Sequence, residues 1–305
     1  MDWPILSIIV IFYNMKREAP RTLYTLSTKY QQDIDSNQYE IIAIDNGSDE
    51  ALDEGMVRSF GPNFHLYIRE TSLSPNSAIN AGVEIAKGNL IMVCIDGARM
   101  LTPKVIYYTL MAFKAFENPI ISTIAYHLGP KLQNESMIEG YNQEIEDKLL
   151  ESIDWKENGY SLFSISSFAG SSSRGWFLPL CESNCLTISK SQYNYLNGFD
   201  ENFISPGGGL VNLDFYKRAC EATYPLIVLL GEGTFHQFHG GVATNVPQNQ
   251  HPGPIFHEEY RQLRGQDFSF PNQEPILFGK LTKESLQFLS YSVDKLNIEN
   301  TVNQL

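Results

Sequence analysis

The sequence has a shortage of positive charge. Its 22 Lys and Arg residues stand against 35 Asp and Glu residues, which gives a net charge of −13. This balance argues against a nucleic-acid polymer as the main partner, because phosphate contacts need clustered basic side chains. It does not exclude a single nucleotide, since a metal ion and a few local groups can neutralise the charge of its phosphates.

Long hydrophobic runs and cysteine are also scarce. No uninterrupted apolar run approaches the roughly 20 residues that span a bilayer, so no transmembrane segment is expected. The four cysteines, Cys94, Cys181, Cys185 and Cys220, form no dense disulfide framework and lack the second close pair of a structural zinc site. The N-terminus lacks the basic start of a secretory signal. We therefore expect a cytoplasmic protein.

Apolar runs alternate with segments of helical periodicity along the first half of the 305-residue chain. The runs predicted as strands are 5–13, 39–45, 64–69, 90–95 and 120–126. The segments predicted as helices between them are 23–30, 77–87 and 102–116. Apolar runs without polar alternation are typical of strands that are buried on both faces. The pattern predicts an α/β fold with a mostly parallel sheet covered by helices.

The second half of the chain is less regular. Helices are predicted at 142–152, 190–196, 210–221 and 283–296, and strands at 185–189 and 225–230. A Ser- and Gly-rich stretch at 164–175 is predicted to form either a mobile lid or an ordinary surface loop. Residues 252–305 form a polar tail apart from the helix predicted within them.

Polar side chains follow three of the predicted strands at the point where each strand ends. Asn14 follows the first strand, Asp45 and Asn46 end the second, and Asp96 ends the fourth. Ligands of open α/β sheets bind just beyond the carboxyl ends of the strands. We therefore predict a ligand site at this edge, with Asp96 positioned to hold a metal or a sugar.

Five short motifs occur in one order along residues 5–240. They are Phe12-Tyr13-Asn14, Ile44-Asp45-Asn46-Gly47-Ser48, Asn80-Ala81-Gly82 with Ala86-Lys87-Gly88, Ile95-Asp96-Gly97-Ala98, and Leu196-Asn197-Gly198-Phe199-Asp200-Glu201. In these motifs and their order the chain resembles family-two glycosyltransferases. The resemblance implies a GT-A, Rossmann-like fold. It also implies an enzyme that moves a hexose from a nucleotide diphosphate donor, UDP-linked, to a saccharide or lipid-linked acceptor.

The resemblance assigns roles to residues in these motifs. Those implied to contact the nucleotide-sugar donor are Phe12, Tyr13, Asn14, Asp45, Asn46, Asn80, Asp96, Gly97, Ala98 and Arg99. Within this set, Asn14, Asp45 and Asn46 would hold the base and ribose. Asp96 corresponds to the first aspartate of the family's Asp-x-Asp metal motif, and Ala98 stands where that motif has its second carboxylate. Arg99 would pair with the diphosphate or with Asp96, or else lie in solvent.

Two histidines late in the chain are candidates to replace the missing carboxylate. Residues 207–214 resemble a segment of polypeptide N-acetylgalactosaminyltransferases, which also use a histidine from a late loop as a metal ligand. The resemblance implies Mn²⁺ or Mg²⁺ held by Asp96 together with His236 or His239. Two alternatives stay open. The histidines are ordinary loop residues, or the enzyme is metal-independent and the charge of Arg99 takes the place of the cation.

The predicted catalytic segment has lost a carboxylate. Asn212 occupies the place of an acidic residue and cannot accept a proton as a base does. Asp214 or Glu182 is predicted to act on the acceptor hydroxyl, and each has a structural alternative. Trp176 and Phe177 either stack on an acceptor sugar or pack in the core. These losses leave a second class of function open, a glycosyltransferase-like module that binds a nucleotide or saccharide without transferring sugar.

The resemblance also predicts how the chain is divided. A GT-A domain is expected over residues 1–250, with a nucleotide-binding half at 1–127 and an acceptor-binding half at 128–250. Residues 251–305 are expected to form a C-terminal extension that contains one helix.

Overall fold

The computed structural model describes residues 5–70, 74–222 and 225–302. Its strands are β1 (Leu6–Phe12), β2 (Tyr39–Asp45), β3 (Phe64–Ile68), β4 (Leu90–Cys94), β5 (Arg99–Leu101), β6 (Ile120–Ser122), β7 (Ala125–Leu128), β8 (Ser166–Phe168), β9 (Leu186–Ser189), β10 (Leu226–Leu230), β11 (Thr234–His236) and β12 (Ile276–Gly279). The N-terminal residues 1–4 and the last three residues of the predicted extension lie outside the described residues.

Ten α-helices and five short 3-10 helices accompany these strands within the same residues. The α-helices are α1 (Ala19–Leu26), α2 (Glu54–Arg58), α3 (Asn76–Ile85), α4 (Val105–Ala115), α5 (Gln133–Ser136), α6 (Gln143–Glu151), α7 (Lys190–Tyr195), α8 (Val211–Glu221), α9 (Gly253–Arg264) and α10 (Leu286–Val302). The 3-10 helices are Met137–Glu139, Gly159–Ile165, Gly170–Ser172, Pro206–Gly208 and Gln248–Gln250. No helix in the described ranges combines the length and the apolar content needed to cross a membrane.

Eight strands form one large sheet in the order β12-β10-β6-β9-β4-β1-β2-β3. All neighbouring pairs in this sheet are parallel except those of β9, which runs antiparallel to both β4 and β6. The remaining four strands form a smaller sheet in the order β5-β11-β7-β8. The predicted α/β fold with a mostly parallel sheet is therefore confirmed.

The central strands of the large sheet are buried on both faces. Every residue of β1 and β2 is buried. Leu6, Ile8 and Val10 of β1 pack in one apolar cluster with α1 and α4. Ile9 and Ile11 point to the opposite face and pack with α3, α8 and α9. This two-sided burial explains why these strands are continuous apolar runs in the sequence.

One predicted strand is in fact two. The run 120–126 was expected to form a single strand, but β6 joins the large sheet and β7 joins the smaller one. At the end of β6 the hydroxyl of Ser122 donates a hydrogen bond to the carbonyl oxygen of Glu182. The chain then crosses between the sheets. Only Ser122 and Thr123 interrupt the apolar run at this point, and two small polar residues are too weak a signal to predict the break. The three-residue β5 was not predicted either.

Only part of the Ser- and Gly-rich stretch 164–175 is an exposed loop. It contains β8, the edge strand of the smaller sheet. Ser172 is fully buried, and its hydroxyl accepts a hydrogen bond from the Ala125 amide. Trp176, which follows the stretch, is also fully buried and contacts Phe168. The surface-loop interpretation therefore holds for residues 170–174, four of which are exposed, but not for β8, and the lid stays a prediction. Trp176 packs in the core.

The C-terminal residues contribute to both sheets. Strand β12 pairs with β10 at the edge of the large sheet. Phe288 of α10 packs against Tyr126 of the smaller sheet, with their ring centroids 4.6 Å apart. The predicted helix 283–296 is found as α10, whereas α9 and β12 were not predicted. The division of the chain at residue 250 stays a prediction.

A buried carboxylate ties the end of β10 to the start of α4. Glu232 is fully buried and accepts hydrogen bonds from the hydroxyls of Thr102 and Tyr160 and from the Lys104 amide. Burial raises the pKa of Glu232 to about 7, because the ionised form loses its hydration. The native state therefore holds this proton to a higher pH than the unfolded chain does.

This proton makes the stability of the protein depend on pH. The favourable contribution is complete below the ordinary pKa of a glutamate and is lost as the pH rises through about 7. We expect the free energy of unfolding of the wild type, relative to Glu232→Gln, to fall by about 1–3 kcal/mol between pH 5 and pH 8. Urea unfolding at four pH values measures this difference, and parallel curves for the two proteins would contradict it.

Candidate functional site

Three strand ends meet at one edge of the large sheet. Strand β1 lies between β2 and β4, and Phe12 is in register with Asp45. The amide of Asn46 donates to the carbonyl oxygen of Phe12 over 2.8 Å, and the amide of Gly97 donates to that of Ile11 over 2.7 Å. The turns that follow all three strands are thus held together at the edge where open α/β sheets bind ligands.

The turn after β4 approaches β1 so closely that it requires glycine. A Cβ atom on Gly97 would lie 2.3 Å from the ring of Phe12 and 2.6 Å from the carbonyl oxygen of Ile11. The carbonyl oxygen of Gly97 also accepts a hydrogen bond from the Thr22 hydroxyl of α1. These contacts fix the turn that carries Asp96.

The carboxylate of Asp96 meets two imidazole rings. Its Oδ2 lies 2.9 Å from Nε2 of His236, and its Oδ1 lies 3.7 Å from Nε2 of His239. The two Nε2 atoms are 3.2 Å apart, and one ligand atom from each of the three residues falls within 4.8 Å of the others. Neighbouring ligands of an octahedral cation with bonds of about 2.1 Å are about 3 Å apart. The donor set therefore fits one divalent cation.

The smaller sheet positions His236 and Arg99 side by side. His236 of β11 is in register with Arg99 of β5 on one side and with His127 of β7 on the other. Arg99 is 4% exposed, and its Nε lies 3.7 Å from Oδ2 of Asp96. Of the alternatives for Arg99, the structure thus shows an ion pair with Asp96 and not a solvated side chain.

The three residues differ in protonation. Burial alone would raise the pKa of Asp96, but the two histidines outweigh it and hold that pKa well below its usual range. Burial lowers the pKa of His236 to about 4, so this ring is neutral near pH 7. Burial also acts to lower the pKa of His239, yet the attraction of Asp96 outweighs it and the net shift is upward. A cation would take the place of the proton on His239.

The predicted base-binding residues shape one turn. The carboxylate of Asp45 is fully buried and accepts hydrogen bonds from the amides of Ser48 and Leu52, over 2.8 and 2.9 Å. Asn14 has a left-handed φ of 53° and exchanges two hydrogen bonds with Asp49. Both side chains therefore hold the turn after β2 in place at the site edge.

Three other predicted donor residues have different surroundings. Phe12 is buried in the core, whereas Tyr13 is 45% exposed beside the turn. Asn80 lies away from this turn and is hydrogen-bonded to Tyr193, Phe199 and Glu201. It lines a cavity of about 500 Å³ with charged residues of α8 and α9. Through these bonds Asn80 anchors the segment at 196–201.

The two predicted catalytic carboxylates are fully engaged. Glu182 is buried and accepts four hydrogen bonds, from the hydroxyls of Ser171 and Ser172 and from the backbone and side-chain amides of Asn184. Asp214 is also buried and forms ion pairs with Arg218 and Arg264.

Asn212 donates a hydrogen bond to the Ser183 hydroxyl over 2.9 Å, which brings it beside Glu182. The catalytic roles of Asn212, Asp214 and Glu182 stay predictions, and the contacts of the two carboxylates favour structural roles.

A cavity of about 470 Å³ adjoins His239. Its walls are formed by the start of α6 and by the loop that follows β11, residues 237–247, called here the late loop. The residues that line it are Asn142, Gln143, Glu144, Phe238, His239 and Gly240. Glu144 is exposed and belongs to the first turn of α6. The sequence analysis did not single out this carboxylate. Nothing in the local sequence indicates that α6 packs beside a loop almost a hundred residues later.

One family of known proteins matches this chain. Residues 7–169, more than half of the chain, match the model of Glycosyl transferase family 2. The chain therefore belongs to glycosyl transferase family 2 and is a glycosyltransferase. No curated protein sequence matches it. The family match ends before residues 207–214, so the resemblance to polypeptide N-acetylgalactosaminyltransferases gains no support from it.

Solved structures show the same fold at low sequence identity. Residues 1–349 of TarS from S. aureus align with a TM-score of 0.55 and 12% identity, over 95% of this chain and 71% of that one. The same protein in complex with UDP-GlcNAc aligns with a TM-score of 0.51 and 13% identity, over 76% of this chain and 58% of that one. The mannosyltransferase PcManGT from Pyrobaculum calidifontis, in complex with GDP-Man and Mn²⁺, aligns with a TM-score of 0.51 and 12% identity. The alignment covers 96% of this chain and 70% of that one. The GT-A fold is confirmed.

The close approach at Gly97 has a measurable cost when it is disturbed. Gly97→Ala places a methyl group against the ring of Phe12 and the carbonyl oxygen of Ile11, and the backbone oxygen cannot move without breaking the sheet edge. We expect a loss of about 1–3 kcal/mol in the free energy of unfolding, measured by urea denaturation. Gly170→Ala is the matched control, since its added Cβ meets nothing within 4 Å. Equal stability of the two variants would contradict this account.

Proposed function

We propose that this protein transfers a hexose from a UDP-linked donor to a saccharide or lipid-linked acceptor with the help of a divalent cation. The observation that carries the proposal is the convergence of Asp96, His236 and His239 beside the ends of β1, β2 and β4. Two proteins of similar fold add support, because TarS was solved with UDP-GlcNAc and PcManGT with GDP-Man and Mn²⁺.

Asp96, His236 and His239 would hold the cation. When bound, the cation would neutralise the charge that develops on the diphosphate leaving group. Two imidazoles and one carboxylate favour Mn²⁺ over Mg²⁺, which prefers oxygen ligands. Phosphate oxygens and water would complete the coordination, so the absence of a second carboxylate at Ala98 does not prevent binding.

The nucleotide would lie over the turn after β2. Asp45 and Asn14 hold this turn through their own hydrogen bonds, so their contribution to the donor is the shape of the turn. Asn46 lies within the same turn, and the exposed ring of Tyr13 lies beside it, where it would stack on the base.

Arg99 supplies a fixed positive charge at the same place. Its Nε and Nη1 have no hydrogen-bond partner among the described residues, although both are buried. The guanidinium charge is therefore not spread over several acceptors and would attract the donor diphosphate. This observation favours the metal-independent version of the reaction as the second candidate, in which the charge of Arg99 takes the place of the cation.

The acceptor would enter the cavity beside His239. Glu144 is an exposed carboxylate in its wall, whereas Glu182 and Asp214 are occupied by other groups. We therefore place the deprotonation of the acceptor hydroxyl at Glu144 and structural roles at the other two. The proposed location of the reaction is the cytoplasm, since all four cysteines are buried free thiols.

Replacement of Asp96 tests the cation site. Asp96→Asn removes the only carboxylate of the triad, and we expect Mn²⁺ affinity to fall at least about tenfold with a matching loss of UDP-sugar turnover. Calorimetry measures the first quantity and release of UDP the second, with Mn²⁺, Mg²⁺ or EDTA present. Asp35→Asn, at an exposed loop position, is the control.

These measurements distinguish the cation-dependent reaction from the metal-independent one. Unchanged metal affinity and turnover in Asp96→Asn would overturn the role of Asp96. Equal turnover of the wild type in EDTA and in Mn²⁺ would overturn the need for the cation and support the version that relies on Arg99.

Replacement of Glu144 tests the proposed proton acceptor. Glu144→Gln keeps the shape of the side chain but removes the base, and we expect kcat to fall at least about hundredfold with Mn²⁺ affinity unchanged. Glu151→Gln, at the exposed far end of the same helix, is the control. An unchanged kcat in Glu144→Gln would contradict the assignment. A selective loss of kcat in Asp214→Asn, without a loss of stability, would transfer the role to Asp214.

A further inference from the structure

The side chain of Gln133 lies directly behind the ring of His236. Gln133 is the first residue of α5 and is fully buried. Its Oε1 lies 2.7 Å from Nδ1 of His236, on the opposite side of the ring from Asp96. Its Nε2 donates to the backbone carbonyl oxygen of His236 over 2.9 Å. One amide therefore contacts both the side chain and the backbone of a proposed metal ligand.

The orientation of this amide is fixed by a second one. The Oδ1 of Asn245 accepts three hydrogen bonds from the backbone amides of His239, Gly240 and Gly241, over 3.1, 2.9 and 3.0 Å. Backbone N–H groups can only donate, so the atom that faces them must be the oxygen. The Nδ2 of Asn245 is then the atom that donates to Oε1 of Gln133 over 2.9 Å.

These bonds determine which nitrogen of His236 carries the proton. Oε1 of Gln133 is an oxygen and can only accept, so Nδ1 of His236 must donate to it. A histidine binds a cation only as the neutral ring, and in that form the proton on Nδ1 leaves Nε2 without one. The lone pair of Nε2 then points to the space between Asp96 and His239, where the cation would bind.

We propose that Gln133 is a positioning residue that holds His236 in the tautomer able to bind a divalent cation. This inference rests on the cation site of the proposed function. Second-shell hydrogen bonds of this kind orient metal-binding histidines and set their tautomer. Without the acceptor at Gln133, the neutral ring can keep its only proton on Nε2, where it donates to Oδ2 of Asp96, 2.9 Å away. That bond would have to break before a cation could enter.

Three variants separate this role from support of the late loop. Gln133→Met removes the acceptor at similar size, and Gln133→Glu keeps an acceptor oxygen. Asn134→Leu is the matched control, because Asn134 also holds the late loop, through the carbonyl oxygens of Ala243 and Val246, with no bond to the His236 ring. Calorimetry with MnCl₂ alone gives the affinity of each protein.

We expect Mn²⁺ affinity to fall by about 10- to 100-fold in Gln133→Met. Gln133→Glu and Asn134→Leu should stay within about threefold of the wild type under the same conditions. An equal loss in Gln133→Met and Asn134→Leu would assign the effect to the loop and overturn the proposal. If the wild type binds Mn²⁺ and Gln133→Met binds it with the same affinity, the proposal is also overturned.

The tautomer itself can be observed without metal. Ring ¹⁵N chemical shifts of His236, assigned with a His236→Asn variant, should show a proton on Nδ1 in the wild type and a shift of the proton toward Nε2 in Gln133→Met. A wild-type ring without a proton on Nδ1 overturns the inference. If the wild type binds no Mn²⁺, the cation site of the proposed function fails, and the ring spectrum still decides the tautomer separately.

Discussion

The structure depends on the position of one carboxylate between two sheets. Asp96 ends the central part of the large sheet, and the groups around it, Arg99 and His236, belong to neighbouring strands of the smaller sheet. A buried carboxylate without partners would be costly. Here a guanidinium and two imidazoles surround it, so the electrostatic requirement of Asp96 sets where the smaller sheet and the late loop must lie.

This arrangement explains how a member of glycosyl transferase family 2 can lack the second carboxylate of its metal motif. The backbone continues from Ala98 directly into β5, which carries Arg99 to the same carboxylate. In the proposed cation site the donor atoms come instead from His236 at the end of β11 and from His239 in the loop that follows. The proposed site thus replaces a ligand close in sequence with ligands that only the folded chain brings near.

The sequence predicts those parts of the fold that depend on local pattern. The apolar runs of β1, β2 and β4 are visible because burial on both faces demands them, and Asp96 stands out because it interrupts such a run. The break between β6 and β7 is hard to recognise, since only Ser122 and Thr123 mark it within an otherwise apolar run. The short β5 and the edge strand β12 carry too few residues to show a period.

The catalytic assignments show the same limit. Asp214 is the acidic residue left in the segment that the family pattern suggests, and Glu182 is an alternative to it. Sequence alone identifies both only as carboxylates. Whether a carboxylate is free depends on its donors, and for Asp214 one of these is Arg264, fifty residues further along the chain. The role of Gln133 likewise depends on contacts with residues more than a hundred positions away. Such contacts follow from tertiary packing, and no local sequence pattern indicates them.

The packing of α10 has a consequence for the order in which the chain can fold during synthesis. Phe288 lies among the aromatic rings of Tyr126, Phe163 and Phe168, with centroids 4.6 to 5.7 Å away. These three rings are translated long before their partner. The nascent smaller sheet therefore keeps an aromatic surface open to water until residue 288 has been made, and such a surface favours aggregation in the meantime.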